Sequence, residues 1–432
     1  MNNIYFDHAA TTSVDSRVFE AMKPYFCDDF GNSSSIHSFG QKAAEAVDKA
    51  RDQVAKLLNC SIQEVVFTSG ATEANNIAIL GVLNRINGIL PAYVTPYAKA
   101  SGVKKTPAGR REPSTFTQVL VDKQYDKKVG HFITTKVEHP AVLEVYKKIE
   151  KMGHEVTFVE VDEKGVVKLD QLEAAIKDNT VLVSVMYANN EVGAVNPIKE
   201  IGRMIEKKKT ARGADSLPLY FHTDAVQAIN YLDTDVKELM VDFLAFSGHK
   251  VYGPKGIGVL YVRAGVKIDP LMQGGHQEWN LRPGTLNVPG IVGLGRAVEL
   301  LQAEKAARVE HITTLKKALI EAIKQIDEVR IFSSENEGLP NVINVSFYRA
   351  EGESILMMLD MDGIAISTGS ACSSGALEPS HVLMAMGIEK EWTHGSIRVS
   401  FGKDNTVTEV ENFIEKIKPI VNRLREMAPE IR

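Results

Sequence analysis

Along the first two-thirds of the chain, short apolar runs alternate with longer stretches of helical periodicity. "EVVFTSG" precedes "ATEANNIAILGVLNRI", "HFITTK" precedes "HPAVLEVYKKIEKMG", and "TVLVSVMYANN" precedes "PIKEIGRMIEKKK". "LPLYFHTDA" and "DFLAFSGHK" follow. Runs rich in β-branched and aromatic residues, bounded by turn formers, predict strands, and apolar positions three and four apart predict helices. Their alternation predicts an α/β fold with a mostly parallel sheet covered on both faces. Past about residue 265 the pattern changes. A helical stretch over roughly 288–326 leads into "NVINVSF", "GESILMMLDMDG", "IAISTG" and "SIRVSFG", and "TEVENFIEKIKPIVNRLREM" closes the chain. This predicts a separate α+β domain. No internal repeat is visible.

Residues 90–128 fit neither pattern. They hold four of the sixteen prolines and eight Lys/Arg against three Asp/Glu, and they interrupt a series whose connections are normally short. The plain expectation is a surface insertion; the sharper one is a loop that docks a partner or covers a site.

Composition narrows the classes. With 44% hydrophobic and 24% charged residues and a formal net charge of −5, the 432-residue chain is ordinary for a globular protein of two or three domains. That charge gives no support to nucleic acid or an anionic membrane as partner. No apolar run reaches the length of a membrane span. The start "MNNIYFDHAATT" lacks a basic, apolar leader, so a cytoplasmic protein is expected. Three separated cysteines, Cys27, Cys60 and Cys372, form no CxxC pair and predict neither a disulfide framework nor a metal site. Cys27 and Cys60, in helix-adjacent stretches, are expected to be structural.

The candidate chemistry lies where predicted strands end, the edge at which open α/β sheets bind ligands. Lys250 in "SGHKVYGPKGIG" follows a strand, and desolvation there would make it a usable amine nucleophile. In "TSGATEANN", Ser69 to Thr72 put small and hydroxyl residues at a helix start, a place suited to a phosphate as well as to an ordinary N-cap. "FHTDAVQ" supplies Asp224 and Gln227, and "TTKVEHPAV" supplies His139. Singly each has a structural explanation. Together, an amine, a phosphate cradle, a buried acid and an imidazole are the parts list for pyridoxal phosphate (PLP).

The sequence resembles the cysteine desulfurases of the class V aminotransferase superfamily, which are fold-type-I PLP enzymes. The resemblance runs from "YFDHAATT" through "GNSSSIHSFG", "FTSGATEANN", "EHPAV", "NNEVGA", "HTDAVQ", "SGHKVYGPKGIG" and "RPGTLN" to "STGSACSSGALEPSHVL" and "SIRVSFG". One departure is Ser33, which stands where the family usually has proline. The resemblance implies a large domain over 15–262 with a mainly parallel seven-stranded sheet. It implies a smaller domain built from 1–14 and 263–432. It also implies that Lys250 forms a Schiff base with PLP, Asp224 meets the pyridinium nitrogen, Gln227 the phenolic oxygen, and His139 stacks on the ring. The phosphate would be held by Ala71, Thr72, Ser247 and His249, and by Thr285 of the other subunit of a homodimer. Asn190 and Arg398 would orient L-cysteine.

Cys372 stands in "STGSACSSGALEPS", a Ser- and Gly-rich stretch with little apolar cover for a buried thiol. The resemblance makes it the nucleophile that takes the substrate sulfur as a persulfide, leaving alanine, and carries it to an acceptor such as an iron–sulfur scaffold protein. A selenocysteine lyase-like or other class V enzyme is the alternative reading of the same PLP site.

Overall fold

A computed structural model describes residues 3–88, 130–213, 216–368 and 379–428. The 90–128 segment and Cys372 lie outside the described residues. A two-residue strand β1 (Ile4–Tyr5) opens the chain. Seven strands follow: β2 (Val65–Thr68), β3 (His131–Thr135), β4 (Glu155–Val159), β5 (Thr180–Ser184), β6 (Tyr220–Asp224), β7 (Phe243–Ser247) and β8 (Gly258–Val262). Then come β9 (Val329–Ile331), β10 (Val342–Phe347), β11 (Ile364–Ala365), β12 (Ser367–Thr368) and β13 (Ser396–Ser400).

The seven strands form one sheet in the order β2-β8-β7-β6-β5-β3-β4. β4, β3, β5, β6 and β7 run parallel, and β8 is antiparallel to both β7 and β2. Alternate residues serve opposite faces, as the pleat requires. On β7, Leu244 and Phe246 pack under the helices Ser38–Leu58 and Ile198–Ala211, while Phe243 and Ala245 face the helices Ala71–Ile86 and Pro140–Lys151. Helices on both faces leave the carboxyl ends of the parallel strands as the open edge.

A smaller antiparallel sheet, β12-β13-β10-β9, carries its own apolar cluster with the helix Val407–Met427. The N-terminal arm joins it: β1 pairs parallel with β11, and Phe6 is fully buried there. Only three residues on, Ala9 belongs to the core beneath the large sheet. The helix Val288–Ile323 links the two bodies. Its residues from Val288 to Leu301 pack in the large core, and those from Ile312 to Ile323 pack in the small one. The apolar clusters therefore divide inside this helix.

Candidate active site

Five connections at the carboxyl edge of the sheet converge on one cavity of about 780 Å³. After β2 come Ser69 to Thr72, after β3 His139 and after β5 Asn190; Asp224 ends β6 with Gln227 just beyond it, and Ser247 ends β7 ahead of His249 and Lys250. Arg398 of β13 lines it from the small body, and Ser367 of β12 brings the chain to its wall. Of the expected site residues, Thr285 is exposed and does not line the cavity of its own chain, and Cys372 lies outside the described residues.

The helix Ala71–Ile86 starts at the cavity wall with Gly70 as N-cap. Its first backbone N–H groups have no partner within the helix and attract an anion. Gly258 makes this approach possible: a Cβ there would lie 2.6 Å from Gly70 C and 3.0 Å from Ala71 N, so a side chain would push β8 off the helix start. His249 and Ser247 face the same region. Burial, with Lys250 and Lys255 nearby, depresses His249 to about 4, so its imidazole is neutral at pH 7.

Lys250 closes a short 3-10 turn directly after β7. Its Nζ donates to the carbonyls of Ala9 and Ala10, the latter at 2.6 Å. The arm is fastened to this turn on both sides. Thr12 N donates to His249 O at 2.9 Å, Tyr252 N donates to Thr12 Oγ1 at 3.0 Å, and His249 Nδ1 lies 3.1 Å from Thr11 Oγ1. Gln227 Nε2 also donates to Ala9 O, at 3.0 Å.

His139 caps the helix Pro140–Lys151, its Nδ1 accepting from Ala141 N at 3.1 Å. An acceptor Nδ1 places the ring proton on Nε2. Burial lowers its proton affinity, Lys250 lowers it further, and Asp224 opposes both. The residue thus serves both as a structural cap and as a cavity imidazole. Asp224 is 5% exposed and accepts from Val226 N at 3.0 Å and from Asn75 Nδ2 at 2.7 Å. Arg398 donates Nη2 to Asp7 Oδ1 at 2.8 Å and Nη1 to Asn190 O at 3.0 Å, and its buried Nε has no partner among the described residues.

Several members of the site carried no role in the sequence reading. Asp7, Ala9, Ala10 and Thr11 form one wall, and "YFDHAATT" signals them only as a motif. Lys255 adds a cation to the wall, and Asn75 stands behind Asp224. Beside the cavity, burial raises the carboxyls of Glu138 to about 8 and Glu191 to about 7. Cys27, expected to be structural, is exposed, because its short helix buries no residue. Among the described residues, no group of His, Cys, Asp and Glu could hold a metal ion, and no helix is long and apolar enough to cross a membrane.

The sequence matches the Aminotransferase class-V family over residues 4–90 and 114–413. The chain belongs to this class-V aminotransferase family. The gap in the match falls inside the expected insertion. This class-V chain is 41% identical over 427 residues to "Cysteine desulfurase IscS" of Dictyoglomus turgidum, covering 99% of the chain and 96% of the relative. It is 43% identical over 430 residues to "Cysteine desulfurase" of Trichormus azollae, covering 99% and 95%. Among solved structures it resembles a "NifS-like protein" with a TM-score of 0.83 and 36% identity, covering 98% of this chain and all of that one. "SspA in complex with cysteine" has a TM-score of 0.73 and 33% identity, covering 93% and 100%.

Proposed function

We propose that this protein is a cysteine desulfurase, which uses PLP to remove sulfur from L-cysteine and leaves the sulfur as a persulfide on Cys372. The observation that carries the reading is the convergence, on one cavity, of the Lys250 amine, the Asp224 carboxylate, the His139 imidazole and a helix start opposite Ser247 and His249. The residues fit the cofactor. A close-packed glycine, Gly258, brings the helix start against the sheet, and an acid held by two N–H donors suits a protonated ring nitrogen. The names of the relatives and the cysteine-bound structural neighbour agree with this substrate.

PLP supplies an electron sink next to the substrate Cα. Lys250 would hold it through the amine, Asp224 through the ring nitrogen, His139 by stacking, Gln227 at the phenolic oxygen, and Ala71, Thr72, Ser247 and His249 at the phosphate. Arg398 and Asn190 orient the substrate carboxylate, and Lys250 Nζ takes the Cα proton. The thiolate of Cys372 attacks the substrate sulfur. An S–S bond forms, the C–S bond breaks with its electron pair going to the carbon side, and a proton added at Cβ together with one returned to Cα yields alanine.

We also infer a homodimer in which Thr285 completes the partner's phosphate site. An exposed apolar surface supports association: Phe26, Phe30, Ile36 and Phe39 are 58%, 66%, 92% and 52% exposed on one short stretch of chain. The persulfide would pass to an acceptor such as an iron–sulfur scaffold protein, in the cytoplasm.

Alanine released from L-cysteine with a thiol reductant, measured for the wild type beside Cys372→Ser, tests the reading. Alanine from the wild type alone supports it. Alanine from both moves a lyase mechanism ahead, and none from either, with PLP bound, means a different substrate.

A further inference from the structure

Behind the cavity, five buried side chains form a line of hydrogen bonds across β5, β6 and two helices. Tyr146 Oη donates to Ser184 Oγ at 2.6 Å. Ser184 Oγ lies 3.0 Å from His222 Nδ1, and His222 Nε2 lies 3.0 Å from Asn75 Oδ1. Asn75 Nδ2 then reaches Asp224 Oδ2 at 2.7 Å. Tyr146, Ser184, His222 and Asn75 have no exposed surface. Only Asn75 and Asp224 reach the cavity wall, so the first three cannot touch anything bound there.

The line has one self-consistent direction. An ionised Asp224 can only accept, so Asn75 presents its NH2 to it and its carbonyl to His222. That carbonyl needs a donor, which makes His222 Nε2 carry the proton and Nδ1 accept from Ser184. Tyr146 then completes the hydroxyl pair. Burial depresses the His222 imidazole to about 3, in keeping with the neutral form this order needs. Were the amide reversed, its carbonyl would face the Asp224 carboxylate and the pair would demand a shared proton.

We propose that His222 is a positioning residue for the cavity carboxylate: its Nε2–H holds the Asn75 amide in the orientation that presents its NH2 to Asp224 and keeps that carboxylate aimed at the ring nitrogen of the cofactor. The proposal rests on the PLP reading above. His222 acts through Asn75 and touches neither cofactor nor substrate.

The test is PLP affinity, measured by dialysis and by the absorbance of the bound cofactor, on full-length protein stripped of PLP and titrated with it. His222→Leu keeps the bulk and deletes the donor, and it should bind PLP about tenfold more weakly, the upper end of the scale of one hydrogen bond between neutral groups. His222→Gln, whose amide restores an N–H toward Asn75, should recover most of the affinity. In an Asp224→Asn background, where no carboxylate remains to be held, His222→Leu should add no further loss. Wild-type affinity in His222→Leu would overturn the proposal, as would an equal loss in His222→Gln or the same tenfold step on top of Asp224→Asn. If thermal melts show that His222→Leu does not fold, Ser184→Ala replaces it, with a several-fold loss expected and an unchanged affinity overturning the idea. A wild type that takes up no PLP overturns the cofactor reading itself, and a wild type that binds PLP alongside unaffected variants overturns only the role of His222.

Discussion

Arg398 and Asp7 meet at 2.8 Å, tying the central part of β13 to the N-terminal arm across 391 residues of sequence. Arg398 is 4% exposed, so the pair is held in a fixed place on the cavity wall. The pairing occupies one end of the guanidinium and orients the rest of the fork.

Arg398→Lys keeps the charge and loses the fork, and it should raise the KM for L-cysteine about tenfold with kcat nearly unchanged. Asp7→Asn removes the orienting charge and should raise KM several-fold. Steady-state kinetics check both. A loss confined to kcat would contradict carboxylate binding by Arg398.

Thr285→Ala should lower PLP affinity several-fold, and the double substitution Phe30→Glu with Phe39→Glu should turn a dimer into a monomer that also loses PLP. Light scattering on a sizing column and PLP titration read the two effects. Unchanged PLP binding in the monomer would mean that the phosphate site is complete within one chain.

Below neutral pH the buried neutral histidines should cost the fold stability, against the raised carboxyls of Glu138 and Glu191, whose protonation in the same range works the other way. Burial depresses His8 to about 4 and His222 to about 3, against an ordinary value of 6.5. Their neutral forms therefore contribute stability that is fully present above pH 6.5 and lost as pH falls from there toward 4 and 3. Each can contribute up to about 1.4 kcal/mol per pH unit in that window. Melting temperatures of the wild type and His8→Asn, followed from pH 8 to 5, should change relative to each other below 6.5, with the wild type losing more as pH falls. A difference between the two that stays constant over this range would refute the assignment.

Alkylation should separate the two described cysteines. Burial raises the Cys60 thiol to about 12, and Glu64 adds to the effect, whereas Cys27 is exposed. Iodoacetamide at pH 8 with mass mapping should label Cys27 quickly and Cys60 only after unfolding. Equal rates would show that Cys60 is accessible.

The parallel sheet and its edge residues were legible because its strands are short runs rich in apolar and β-branched residues, several of them closed by a polar or turn-forming residue, as Ser69 and Gly70 follow β2, Asp224 ends β6 and Ser247 ends β7. Lys250, Asp224, His139 and Thr72 stood at those ends. The arm was not legible as a cavity wall, since its contacts with Lys250 span 240 residues and depend on how the two bodies dock. Nor was the Asn75–His222 line. In sequence His222 is a polar residue inside a strand, and only the register of β6 beside β5 places it against Ser184. The division inside the helix Val288–Ile323 escaped for a simpler cause: apolar residues continue along its whole length while the surface they pack against changes.

That shared helix has a mechanical meaning. At 36 residues it is a strut about 54 Å long, clamped at one end beneath the PLP-site sheet and at the other beneath the sheet that carries Arg398. An α-helix resists bending because each bend strains backbone hydrogen bonds. Any approach of Arg398 toward Lys250 must therefore swing the strut as a whole, shifting its packing on Ala50 and Val54 of the helix Ser38–Leu58. The aperture of the cavity is then set far from it, by side chains that meet neither substrate nor cofactor.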